Sequence, residues 1–156
     1  VVFQGMGEPM ANMDAVLESI FVLSDPGAGA ISMDAMTLST VGSNPNGIRR
    51  LGREAPKVRL ALSIGAVRPE VRKRIMPVEY IHPLRTTIMD AAVDHARMTG
   101  LSPMWAVTPL LGVNDSLEDA EALAEMALEF TARTDGLRPR ISLVPYNTIC
   151  DDDPYQ

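Results

Sequence analysis

Gly5-Met6-Gly7-Glu8-Pro9 directly follows the apolar run Val1-Val2-Phe3. Its glycines allow a close approach of backbone to a ligand, and Glu8 sets a carboxylate at the end of what reads as a strand. As a bare pattern it is an ordinary βα turn. Four further polar or glycine-bearing stretches follow apolar runs in the same way: Ser39-Thr40, Ser63-Ile64-Gly65, Asn114-Asp115 and Asn147. The remaining reactive types read as bland. Cys150 has no cysteine or histidine beside it and reads as a passive thiol. Asp151, Asp152 and Asp153 lack calcium-loop spacing and read as a solvated acidic loop. His95 falls on the apolar face of a predicted helix, and His82 precedes Pro83 with nothing to pair it. Gly27-Ala28-Gly29-Ala30 lacks the third glycine of a dinucleotide loop and follows a helix rather than a strand. Arg49, Arg50 and Arg53, with Arg72, Lys73 and Arg74, make two basic clusters that read as helix surface. No catalytic residue and no metal site is assigned.

The elements that must position these motifs alternate along the chain. Strand signals fall at residues 1–4, 36–40, 58–64, 104–111 and 141–144. Helical spacing covers 13–23 with Asn12 as N-cap, 48–53, 70–75, and 83–97 with Pro83 at its first position and Gly100 as its stop. Ser116-Leu117-Glu118-Asp119 fits a capping box, followed by the stripe Ala120, Leu123, Ala124, Ala127 and Leu128. Asn44-Pro45-Asn46-Gly47 reads as a turn. Alternating strands and helices imply parallel strands with right-handed crossovers, in a doubly wound sheet or part of a β/α barrel. Either architecture binds ligands at the carboxyl ends of its strands, which gathers the five motifs onto one rim.

Composition bounds the reading. The chain has 156 residues, 46% of them hydrophobic, enough for one domain with a core. Its net charge of −6 makes it a poor stand-alone nucleic-acid binder, because phosphate affinity comes from clustered Lys and Arg. A single cysteine excludes an internal disulfide framework or a multi-cysteine metal site built by these residues alone, and fits a reducing, cytoplasmic setting. No apolar run reaches the ~18 residues of a membrane span, and no secretory signal is visible. The opening in mid-strand and the close at Asp153-Pro154-Tyr155-Gln156 suggest a fragment.

Val-Val-Phe-Gln-Gly-Met-Gly-Glu-Pro resembles the second-strand motif of radical S-adenosylmethionine (SAM) enzymes, in the form used by RlmN/Cfr-type rRNA adenine methyltransferases. The resemblance continues in order through Thr37-Leu38-Ser39-Thr40-Val41-Gly42, Leu60-Ala61-Leu62-Ser63-Ile64-Gly65-Ala66 and Glu70-Val71-Arg72-Lys73-Arg74-Ile75-Met76-Pro77. It then runs through Leu110-Leu111-Gly112-Val113-Asn114-Asp115-Ser116 and Leu143-Val144-Pro145-Tyr146-Asn147. In such enzymes a 4Fe–4S cluster binds SAM and cleaves it reductively. The resemblance implies a partial β/α barrel of about five parallel strands with helices outside, spanning residues 1–156 as one partial core domain. It implies SAM as cofactor, with Gly7 and Glu8 along the methionine amino group. Ser39, Ser63 and Asn147 would lie at the ribose or carboxylate, beside Ile64 and Gly65. The implied reaction of the intact protein is methylation of an adenine ring carbon of 23S rRNA, C2 or C8, through a methyl first carried on a cysteine; tRNA is a second possible RNA partner.

Departures accompany the resemblance. The family's Cys-x-x-x-Cys-x-x-Cys cluster loop is expected before Val1 and its methyl-carrying cysteine beyond Gln156, so residues 1–156 alone are expected to be inactive. Gly65 stands where the family usually has histidine. Thr148-Ile149-Cys150-Asp151-Asp152-Asp153 replaces a Pro-Gly-rich turn. The alternative is a non-catalytic SAM- or nucleotide-binding paralogue without an iron–sulfur cluster. An open barrel also exposes sheet edges, which predicts self-association.

Overall fold

A computed structural model describes residues 1–148 and Asp153. Its strands are β1 (Val2–Phe3), β2 (Thr37–Thr40), β3 (Arg59–Ser63), β4 (Met104–Val107) and β5 (Arg140–Leu143). All neighbouring pairs are parallel, in the order β1-β2-β3-β4-β5. A doubly wound sheet reverses its strand order at a switch point, whereas a barrel wall adds each strand beside the last. The sequential order therefore decides between the two architectures: the fold is a partial β/α barrel. The helices are α1 (Met13–Ser24), α2 (Pro45–Glu54), α3 (Pro69–Ile75), α4 (Met89–Thr99) and α5 (Leu117–Arg133).

Strand parity sorts the side chains. Leu38, Leu60, Leu62 and Trp105 are buried beneath the helices, while Thr37, Ser39, Ser63 and Ala106 on the opposite face are half-buried. The core lies between the sheet and its helices, joining Leu38, Leu60, Leu62 and Trp105 to Ile20, Ile48, Leu51, Ile88, Met126 and Phe130. Phe130 meets Trp105 edge-on, with ring centroids 5.4 Å apart and planes at 76°. Gly52 brings α2 close to α4: a Cβ there would lie 3.2 Å from Cδ2 of His95. His95 is fully buried at that contact, and neither ring nitrogen has a hydrogen-bond partner. Burial pushes its pKa down to about 4.

Local chemistry explains the boundaries, including four that differ from the sequence reading. Asn44 accepts from the Gly47 amide at 2.9 Å, so the supposed turn is the N-cap and proline-led first turn of α2. β4 stops at Val107 rather than running to residue 111, because Pro109 has no N–H and Asn114 holds the peptides beyond. Pro83 precedes a π-helical turn, Leu84–Ile88, before α4 begins. β5 starts one residue earlier than expected, at Arg140. The Ser116 capping box forms in full, and Gly100 ends α4 in the left-handed region at φ 69°. Asn12 sits at the N-cap of α1, but its side chain makes no capping bond. Ile149, Cys150, Asp151 and Asp152 lie outside the described residues, so the readings of the thiol and most of the acidic loop do too; Asp153 accepts from the Tyr146 hydroxyl at 2.5 Å.

Candidate functional site

Toward the carboxyl ends of its strands the inner face of the wall carries small side chains. Ser39 stands opposite Ala61, Ser63 opposite Ala106, and Ala106 opposite Ser142. Strand neighbours are ~4.8 Å apart, so these residues form a shallow band of hydroxyls and methyls with room above it. Ser39 and Ser63 lie at or beside the carboxyl ends of β2 and β3. Such a band fits the hydroxyls and carboxylate of a SAM-like ligand, as donors and acceptors without bulk. Residues 1–156 hold one cysteine, fewer than the thiolate set of a 4Fe–4S cluster, so they do not ligate one by themselves. Among the described residues no group of three His, Cys, Asp or Glu could hold a metal ion.

Glu8 is engaged within the protein. Its Oε1 accepts from the Met10 amide at 3.1 Å and from the Thr40 hydroxyl, and its Oε2 accepts from the Val41 amide at 3.0 Å. Thr40 Oγ1 in turn accepts from the Gly42 amide at 2.9 Å. The carboxylate thus ties the turn after β1 to the end of β2, and Oε2 keeps spare acceptor capacity for a ligand. Gly7 is exposed beside it, lining an open groove of about 420 Å³ with Gln4, Gly5, Met6 and Glu8.

The end of β3 is bracketed from two sides. Asn114 is buried; its Nδ2 donates to the Gly65 carbonyl at 2.7 Å and the Thr108 carbonyl at 3.0 Å, while its Oδ1 accepts from the Leu110 amide at 2.6 Å. Arg72 is fully buried and donates to the Ile64 carbonyl at 2.9 Å, Glu79 at 2.6 Å and the Val41 carbonyl at 3.4 Å. Glu79 also caps the π-helical turn by accepting from the Leu84 amide at 2.9 Å. Burial lowers the Arg72 pKa, opposed by the hydrogen bond and charge of Glu79. The basic cluster at α3 is therefore not all surface: Arg72 belongs to the interior, with Lys73 and Arg74 exposed.

The expected site residues fall into groups. Ser39, Ser63 and Gly65 sit together at the rim of β2 and β3. Ile64 does not face the ligand side: its side chain is in the core, its N–H donates to Ala106 and its carbonyl accepts from Ala66 and Arg72. Its contribution is to fix its two neighbours. Asn147 is exposed beyond β5, across the wall from Ser39. Gly65 has φ 68°, and a Cβ there would lie 2.2 Å from the Met76 sulfur. Met76 therefore fills the space that a side chain at position 65 would need.

No family profile matches the chain. A probable RNA methyltransferase of Sorangium cellulosum is 52% identical over 149 residues, covering 96% of this chain and 37% of that protein. A probable dual-specificity RNA methyltransferase RlmN of Moorella thermoacetica is 36% identical over 149 residues, covering 96% and 40%. The chain therefore spans about two fifths of the length of these relatives. Among solved structures, a radical SAM methyltransferase from Sphaerobacter thermophilus superposes with a TM-score of 0.79 at 22% identity, over 94% of this chain and 51% of that one. The likeness in fold agrees with the likeness in sequence: over nearly its whole length the chain is similar to a part of RlmN-type RNA methyltransferases, and it shares the fold of a radical SAM methyltransferase.

Proposed function

We propose that residues 1–156 are the SAM-holding part of a radical RNA methyltransferase that modifies an adenine ring carbon of 23S rRNA. The observation that carries this is the band of Ser39, Ser63 and Ser142 at the inner face, next to the Glu8 and Gly65 turns. When bound, SAM with its 4Fe–4S cluster supplies the radical chemistry. This chain's residues orient the cofactor: Ser39, Ser63 and Asn147 toward its ribose or carboxylate, Gly7 and the spare Glu8 acceptor toward its ammonium. We place the cluster ligands and the methyl-carrying cysteine outside residues 1–156, and read those residues as a single partial core domain that is inactive alone. No described helix is long and apolar enough to cross a membrane, and we assign the protein to the cytoplasm with rRNA, or tRNA, as its substrate.

Calorimetric titration of SAM into the 156-residue chain tests the reading. Binding that Ser63→Ala and Asn147→Ala each weaken supports the assignment; unchanged affinity in both variants overturns it. A second reading, a non-catalytic SAM- or nucleotide-binding paralogue, draws on Met76 filling the space beside Gly65. Adenine methylation by the cluster-reconstituted intact gene product would exclude that alternative. The outer residues of the edge strands, Val2 at 57% and Leu143 at 66% exposure, favour self-association of the isolated chain. Light scattering that finds only monomer at high concentration would remove that expectation.

A further inference from the structure

The segment between β3 and α4 forms a second concavity, about 340 Å³, lined by Pro69, Lys73, Glu79, Tyr80, Arg85 and Thr86. It lies at the cofactor end of the barrel, because Arg72 on the same short helix donates to the carbonyls that follow β2 and β3. Tyr80 is 71% exposed, and the Lys73 ammonium sits 5.8 Å from the centroid of its ring. Glu79 is the one carboxylate in the lining, and Arg72 neutralises it from beneath. Arg85 meets Glu129 at 3.2 Å across an exposed surface, a contact a stronger anion can displace. The nearby Glu70 leans toward Arg68, at 3.8 Å. In a chain of net charge −6, Lys73 and Arg85 set two cations in the same concavity as this exposed ring.

We propose that Lys73, Tyr80 and Arg85 form a seat for single-stranded RNA. An unpaired base stacks on the Tyr80 ring, and its flanking phosphates meet Lys73 and Arg85. Aromatic rings stack any base, and Lys and Arg follow the phosphates, which is how proteins hold single strands without reading their sequence. The volume lies at the small end of ligand sites and suits one nucleoside. This seat rests on the RNA-methyltransferase reading and adds to it a surface that holds substrate beside the cofactor rim.

Fluorescence anisotropy with a labelled adenine-rich RNA of about ten nucleotides, read across a range of salt, tests it on the 156-residue chain. Tyr80→Ala should weaken binding roughly 5- to 100-fold, while Tyr80→Phe keeps it. Lys73→Ala should weaken binding and reduce the log–log salt slope by about 0.7. Unchanged affinity in both alanine variants, no RNA binding by the unaltered chain, or equal competition by a polyglutamate peptide would each overturn the seat. SAM titration of the same variants separates the two proposals: intact SAM binding alongside failed RNA results removes the seat and leaves the cofactor assignment standing.

Discussion

Replacing Arg72 by methionine leaves Glu79 buried at 4% exposure without its counter-charge. The Ile64 carbonyl still accepts from Ala66 at 2.9 Å, and the 3.4 Å contact to Val41 is weak, so little of the cost arises there. Most of it is the unpaired carboxylate, about 3–5 kcal/mol. A domain of this size has ~5–15 kcal/mol of stability in total, so the variant loses about a fifth of it or more. The melting temperature should fall by about 6–20 °C. Urea unfolding followed by Trp105 fluorescence reads the change, since this is the only tryptophan and it is fully buried. The midpoint should drop with the slope unchanged. The double variant Arg72→Met/Glu79→Gln should recover half or more of the loss, because a neutral amide can be held by the Leu84 amide alone. A loss below ~1 kcal/mol for Arg72→Met, or no recovery in the double variant, would refute the argument that a buried charge pair locks the ends of β2 and β3.

Two other perturbations follow from the structure. His95 has its pKa lowered from 6.5 to about 4 in the fold, so its neutral form is favoured there; its contribution is intact above pH 6.5 and is lost as pH falls toward 4. At pH 5 the penalty is about 2 kcal/mol relative to pH 7.5. His95→Leu should flatten that part of the urea-midpoint profile, and an unflattened profile would assign the loss elsewhere. Asp119 does not compete in this window, since its carboxyl, raised by burial but lowered further by Ser116 and Arg68, stays below its ordinary 3.8. Gly65→Ala should cost about 1–3 kcal/mol from its left-handed backbone and the collision with Met76. Adding Met76→Ala should relieve part of that cost, and thermal melts that show no relief would mean the backbone term dominates.

Periodicity exposed the elements because the long helices have one apolar face and β2 and β4 one buried parity, and both patterns repeat every few residues. It could not choose between the two parallel architectures, because strand order is a long-range property with no local mark. Boundaries went wrong where one side chain redirected the backbone. Asn44 turned an apparent loop into a helix start, and Asn114 ended β4 before its apolar run did. The site residues were legible as strand-end polar groups, yet their tasks were not. Glu8 reads as a free strand-end carboxylate until its contacts with Thr40 and Val41 are seen. Arg72 reads as a surface cation beside Lys73 and Arg74 until its burial is known. In each case the partner is dozens of residues away or on another element, beyond the reach of spacing.

The sequential strand order bears on how such a chain comes to be folded during synthesis. Each strand pairs with the one made just before it, so no pairing waits for a distant segment to leave the ribosome. The wall can grow by one strand and one helix at a time, each new unit docking on a surface that already exists. The side-chain ties at the strand ends follow the same order: Glu8 meets Val41 once β2 is made, and Arg72 and Asn114 reach back to Val41 and Gly65. All three ties use residues made before β5, so the turns at the ends of β1, β2 and β3 can be fixed while the last strand is still to be added.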